Sequence, residues 1–152
     1  QELNPQAKVT VLDLSPYFLS VANYRSQQRQ ANINWVHAPA ESTGLPDDSF
    51  DLVSIYLTLH ELPQSATRQI FAEARRVLRS NGHIAIKCMN PQSEEYQKMP
   101  RYVLTLLKST EPYLDEYFTL DIKQALIDAG FQTPTLTPSS RRHRTVVAKV
   151  AK

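Results

Sequence analysis

The chain has 152 residues, 41% of them hydrophobic and 21% charged, which suits one soluble domain with a sizeable core and calls for no second one. A net charge of +2 is too near neutral to argue by itself for nucleic acid or a membrane surface, and no apolar run approaches the roughly 20 residues of a spanning helix. The single cysteine, Cys88, excludes an internal disulfide, and without a charged-then-apolar leader a reducing cytoplasm is the expected location.

In chain order, residues 1–8 read as a polar edge or loop. Residues 9–12 follow as a short buried strand closed by Asp13, and Ser15 with Pro16 supplies an N-cap and a proline at the first helical position. A helix is expected over residues 16–30, with Phe18, Val21, Ala22 and the stem of Arg25 as its inner stripe. Residues 33–37 form a second strand, interrupted by Asn34, and a loop over 42–49 holds Gly44, Pro46, Asp47 and Asp48. The next stretch, FDLVSIY at residues 50–56, is too continuously apolar for a half-wet strand and too short for a helix. It predicts a strand buried on both faces. Ligands of open α/β sheets collect beyond the carboxyl ends of such strands, where LTLHELP at residues 57–63 places His60 and Glu61.

Residues 65–79 carry the clearest helical pattern: Ile70, Phe71, Ala74, Val77 and Leu78 share one face, Arg68, Arg75, Arg76 and Arg79 lie off it, and Asn81 with Gly82 is expected to stop it. A strand follows at residues 84–88. Residues 91–118, divided by prolines and rich in aromatics, break the strand–helix alternation and are expected to be an inserted helical cap. A helix over residues 120–129 ends at Gly130. Strands at 132–138 and 145–150 are joined by a connection too short for a crossover helix, so they form an antiparallel hairpin. The expected architecture is therefore α/β, a Rossmann-like doubly wound mixed sheet with an antiparallel last strand, all in a single domain over 1–152.

Three isolated glycines, Gly44, Gly82 and Gly130, allow neither a G-x-G-x-x-G loop nor a P-loop to be written. Four stretches nevertheless carry a family resemblance: VTVLDLSP at 9–16; Ala40 and Glu41 with LPDDSFDLV at 45–53; FAEARRVLRSNG at 71–82; and AGF at 129–131 followed by the hairpin. Together they resemble class I S-adenosylmethionine-dependent methyltransferases, nearest the ubiquinone- and menaquinone-type (type 11) branch. The resemblance implies methyl transfer from S-adenosylmethionine to a small-molecule acceptor. The family's first strand and glycine-rich loop have no counterpart here. Three arrangements fit that departure: an N-terminally truncated piece, a sheet closed up without the strand, or a homodimer or swapped assembly covering the exposed edges.

The resemblance assigns Asp13 and Leu14 to the ribose side of the cofactor, Ala40 and Glu41 to the adenine side, and Tyr56, Leu57 and Thr58 to the methionine side. Pro39 stands where relatives carry an aspartate to the adenine. The plainer account of Asp13 is help in capping the helix. The plainer account of residues 56–58 is core packing. His60, with a pKa near neutral, suits proton abstraction from an acceptor, or else is a histidine satisfied beside Glu61. Tyr96, Tyr102, Tyr113 and Tyr117 either wall a substrate pocket or form a satellite core. Residues 141–144, Arg-Arg-His-Arg, read as a solvated hairpin tip before a nucleic-acid contact. Cys88 reads as a buried strand residue, and no metal ligands are assigned. Without a glycine loop the chain is expected to bind cofactor weakly or not at all. The competing readings are a degenerate methyltransferase fold used as a binding or scaffolding domain, and a nicotinamide-dependent oxidoreductase.

Overall fold

The computed structural model describes residues 4 and 6–151, and its contacts divide the chain into two compact units, Gln1–Gly44 and Leu45–Lys152.

The first unit contains β1 (Val9–Asp13), α1 (Pro16–Gln28) and β2 (Ile33–His37). The strands pair in parallel from Val9 opposite Ile33 to Asp13 opposite His37, so their carboxyl ends finish side by side. Ser15 caps α1 as expected, its side chain accepting from the Phe18 amide, and Pro16 follows it. The helix stops short of residue 30 because Gln30 turns left-handed, at φ 53. The expected stripe is out of phase. Phe18 is 63% and Val21 37% exposed, whereas Leu19 and Ser26 are buried, with Ala22 and Asn23 half-buried between them. That face is tolerable for Ser26 because its hydroxyl donates to the Asn23 carbonyl at 2.8 Å, leaving no unpaired polar group.

The second unit is built on a mixed sheet in the order β3–β4–β6–β5. β3 (Phe50–Tyr56) runs parallel to β4 (Leu78–Met89), which is antiparallel to β6 (His143–Lys149), itself antiparallel to β5 (Thr135–Pro138). The closing hairpin is thus as expected. β3 is not buried on both faces: Leu52 is 56% and Tyr56 64% exposed, while Phe50, Val53 and Ile55 are half-buried. It is the edge of its sheet, bonded to β4 alone, and the period of two splits its side chains between a packed and an open face.

α2 (Gln64–Val77) presents the predicted face, with Ile70, Phe71, Ala74 and Val77 buried. It does not run to Arg79, nor do Asn81 and Gly82 stop it. Leu78 already has extended backbone (φ -80, ψ 136) and pairs with Phe50, so both Asn81 and Gly82 fall inside β4. Gly82 is required there for another reason: a Cβ would lie 2.9 Å from Leu78 Cδ2 and 3.0 Å from the Arg79 carbonyl. The predicted helical segment resolves into α3 (Glu94–Gln97), α4 (Arg101–Thr110) and α5 (Leu114–Thr119). α6 (Ile122–Asp128) is capped by Asp121 and ended by Gly130 at φ 91, where only glycine is unstrained. On the packed face of the sheet Ile84, Ile86 and Cys88 stand opposite Ala148, Val146 and Arg144, all buried. Among the described residues no helix is long and apolar enough to cross a membrane.

Candidate active site

In the first unit Asp13 closes β1. Its Oδ1 accepts from the Ser15 amide at 2.7 Å, a turn that fixes the carboxylate, and among the described residues no group engages Oδ2. Beside it, His37 Nε2 donates to the Leu14 carbonyl at 2.9 Å, tying the exit of β1 to the end of β2. Leu14 is 67% exposed. Ala40 and Glu41 are half-buried, in a turn closed by the Ser42 amide donating to the Pro39 carbonyl at 3.2 Å. Asp13 and Glu41 therefore lie beyond the same carboxyl edge of β1 and β2.

In the second unit Tyr56, Leu57 and Thr58 leave β3 through a strained turn. Leu57 holds φ 52, costing about 1–2 kcal/mol for a residue with a Cβ. Its amide is pinned to the Lys87 carbonyl at 2.8 Å, and the Thr58 hydroxyl donates to the Tyr56 carbonyl at 3.1 Å. The Tyr56 ring is exposed, with Lys87 Nζ 5.5 Å from its centre. Strain of this kind concentrates where a backbone is committed to a site, and no pattern in the sequence announces it.

A short 3₁₀ turn, Leu59–Glu61, follows, anchored by Leu59 at 1% exposure. It holds the His60 side chain at 13% exposure, with Nε2 4.0 Å from Glu61 Oε1. Nδ1 is shut off from solvent without a hydrogen-bond partner, and the ring meets Tyr117 edge-on at 6.3 Å. The carboxylate missing from the sequence reading is Glu111, at the C-cap of α4. One donor atom each from His60, Glu61 and Glu111 lie within 4.8 Å of one another.

The four tyrosines separate. Tyr117, 2% exposed, donates its hydroxyl to the Met89 carbonyl at 2.6 Å. Burial pushes that hydroxyl well above the ordinary tyrosine range, Cys88 adds to the push, and Arg144 opposes it. Tyr96, 9% exposed, packs edge-on against Phe118 at 5.4 Å, and burial raises its pKa too, against an opposing pull from Arg142. These two make a small core. Tyr102, 77% exposed, and Tyr113, 37% exposed, remain open. The basic stretch also divides: Arg141 and Arg142 are exposed, but Arg144 is buried and its Nε has no partner, because it belongs to β6 opposite Cys88. Cys88 itself is buried, as expected.

The methyltransferase domain family matches residues 1–86. A demethylmenaquinone methyltransferase of Listeria welshimeri is 26% identical over 125 residues, covering 82% of this chain and 51% of its own length. A malonyl-[acyl-carrier protein] O-methyltransferase of Paenibacillus is 30% identical over 135 residues, covering 85% and 48%. The chain thus spans about half the length of the curated relatives it matches. A solved SAM-dependent methyltransferase from Aquifex aeolicus superposes with a TM-score of 0.71 at 18% identity, over 95% of this chain and 69% of that one. With a match covering more than half of its residues, and the Rossmann-like fold of class I enzymes around them, the chain belongs to the methyltransferase domain family.

Proposed function

We propose that this chain serves S-adenosylmethionine-dependent methyl transfer to a small-molecule acceptor. The observation that carries the reading is the Asp13 carboxylate: one oxygen is fixed by the Ser15 amide, the other has no partner among the described residues, and both sit at the carboxyl edge of a parallel strand pair. A carboxylate so placed accepts hydrogen bonds from the hydroxyls of a ribose. Leu14, Ala40 and Glu41 are the further residues of the first unit assigned to the nucleoside.

In the second unit, Tyr56, Leu57 and Thr58 are assigned to the amino-acid end of the cofactor, with the backbone of the strained turn as their contribution. His60 is assigned to the acceptor, together with the open Tyr102 and Tyr113, while Tyr96 and Tyr117 support the helical segment behind them. When bound, the cofactor supplies a sulfonium methyl group. The acceptor nucleophile takes the methyl and loses a proton, which the imidazole of His60 is suited to receive, and orientation with exclusion of water supplies much of the rate. Cys88, buried and unpaired, suits a reducing, cytoplasmic setting.

Equilibrium dialysis of the chain against labelled S-adenosylmethionine tests the reading. Saturable binding is expected. S-adenosylhomocysteine should compete. Asp13→Ala and Asp13→Asn should each weaken binding, by about tenfold for the alanine; the asparagine keeps the acceptor for the Ser15 amide, so its loss reports charge rather than a broken turn. Binding indifferent to both substitutions would overturn the assignment.

A further inference from the structure

We propose that His60, Glu61 and Glu111 form a binding site for a divalent transition-metal ion, with Zn2+ as the ion that fits best. The three side chains come from two places far apart in the sequence, the 3₁₀ turn Leu59–Glu61 after β3 and the C-cap of α4. The fold gathers one donor atom from each within 4.8 Å of the others.

Two features set this cluster apart from an ordinary group of surface acids. The imidazole is nearly enclosed, and its Nδ1 is sealed from solvent with no hydrogen-bond partner. Among the described residues no partner of Nδ1 therefore fixes the ring's tautomer, so either ring nitrogen can offer its lone pair to an ion. The two carboxylates are also left without a basic partner: among the described residues, no lysine or arginine pairs with Glu61 or Glu111, and His60 Nε2 stands 4.0 Å from Glu61 Oε1, beyond hydrogen-bond reach. Two carboxylates and one imidazole without a partner on Nδ1 thus converge with no cationic side chain paired to them among the described residues.

The donor set selects the ion. One imidazole nitrogen with two carboxylate oxygens is a mixed set, which disfavours the all-oxygen sites of Mg2+ and Ca2+ and suits Zn2+ above Mn2+. Zinc–ligand bonds of about 2.0–2.2 Å place neighbouring donors about 3.4 Å apart. Glu61, whose side chain is 61% exposed, is free to swing in by that amount. Three protein ligands leave a fourth position open, the arrangement of a site that also takes a ligand oxygen.

Ion binding does not depend on the methyl-transfer reading, since it rests on the donor cluster alone. The two meet at one atom, however. Metal and proton exclude each other on the same ring nitrogen, so in the metal-loaded protein His60 would hold the ion and the proton released by an acceptor would pass to solvent water.

Zn2+ alone, titrated calorimetrically into the metal-free chain at neutral pH, provides the test. One ion per chain with a Kd of about 1 μM is expected. Glu111→Gln and Glu61→Gln should each weaken it by about tenfold or more, and His60→Gln should abolish it. In metal-free protein the two glutamine variants, which keep the size and shape of the side chain, should melt close to the wild-type temperature; this separates loss of a ligand from loss of the fold. Absence of saturable binding to the wild type, or binding undiminished in Glu61→Gln and Glu111→Gln, would overturn the site.

Discussion

The hydroxyl of Tyr117 donates to the carbonyl of Met89, 2.6 Å away, from a ring only 2% exposed. A side chain of α5 thereby satisfies the last residue of β4, where the strand's ladder runs out. The bond fastens the helical segment after β4 to the sheet that precedes it, and the same ring forms one wall around His60.

Tyr117→Phe should therefore cost about 1–3 kcal/mol in urea denaturation, since it leaves the Met89 carbonyl buried without a donor. The pH dependence has a definite sign. The hydroxyl is raised in the folded chain and ionises near pH 10 when unfolded. Its contribution is complete below about pH 10 and is lost as the pH climbs beyond it. The phenylalanine variant should lack this alkaline loss, as measured by melting temperature between neutral pH and pH 11.

Gly82→Ala should destabilise the chain by about 1–3 kcal/mol. The new Cβ meets Leu78 Cδ2 at 2.9 Å and the Arg79 carbonyl at 3.0 Å. Leu78 is fully buried and cannot move aside cheaply. If the glycine only served to stop a helix, alanine would instead extend α2, and circular dichroism would show added helix with little loss of stability.

Glu116→Ala tests a long-range cap. α2 begins after Pro63, which offers no capping side chain. Glu116 of α5 supplies one, its Oε2 accepting from the Gln64 amide at 3.0 Å, while Gln64 Nε2 returns a bond to the Glu116 carbonyl at 2.7 Å. Removal should cost about 1 kcal/mol and speed hydrogen exchange at the Gln64 amide. Unchanged exchange there would show that the cap contributes nothing.

The amino-acid sequence by itself determined the elements of this protein, the antiparallel closing hairpin, the buried face of α2 and the resemblance that family membership bears out. Each of these depends on residues near one another in the chain: Ser15 and Pro16 at a helix start, Ile70 to Val77 at helical spacing, Gly130 at a helix end. What the tertiary structure decided depends on neighbours that no local pattern names. The inner face of α1 turned out to be Leu19 and Ser26, because a stripe's phase is set by the sheet beneath it and Ser26 could satisfy itself on Asn23. β3 was less buried than its composition implied, because burial follows from how many strands flank it. Leu57's left-handed backbone, the burial of Arg144 opposite Cys88, and above all the arrival of Glu111 beside His60 are products of packing between segments distant in sequence. Local chemistry wrote the pieces; the juxtaposition of donors on which any chemistry at His60 depends exists only once the chain has closed on itself.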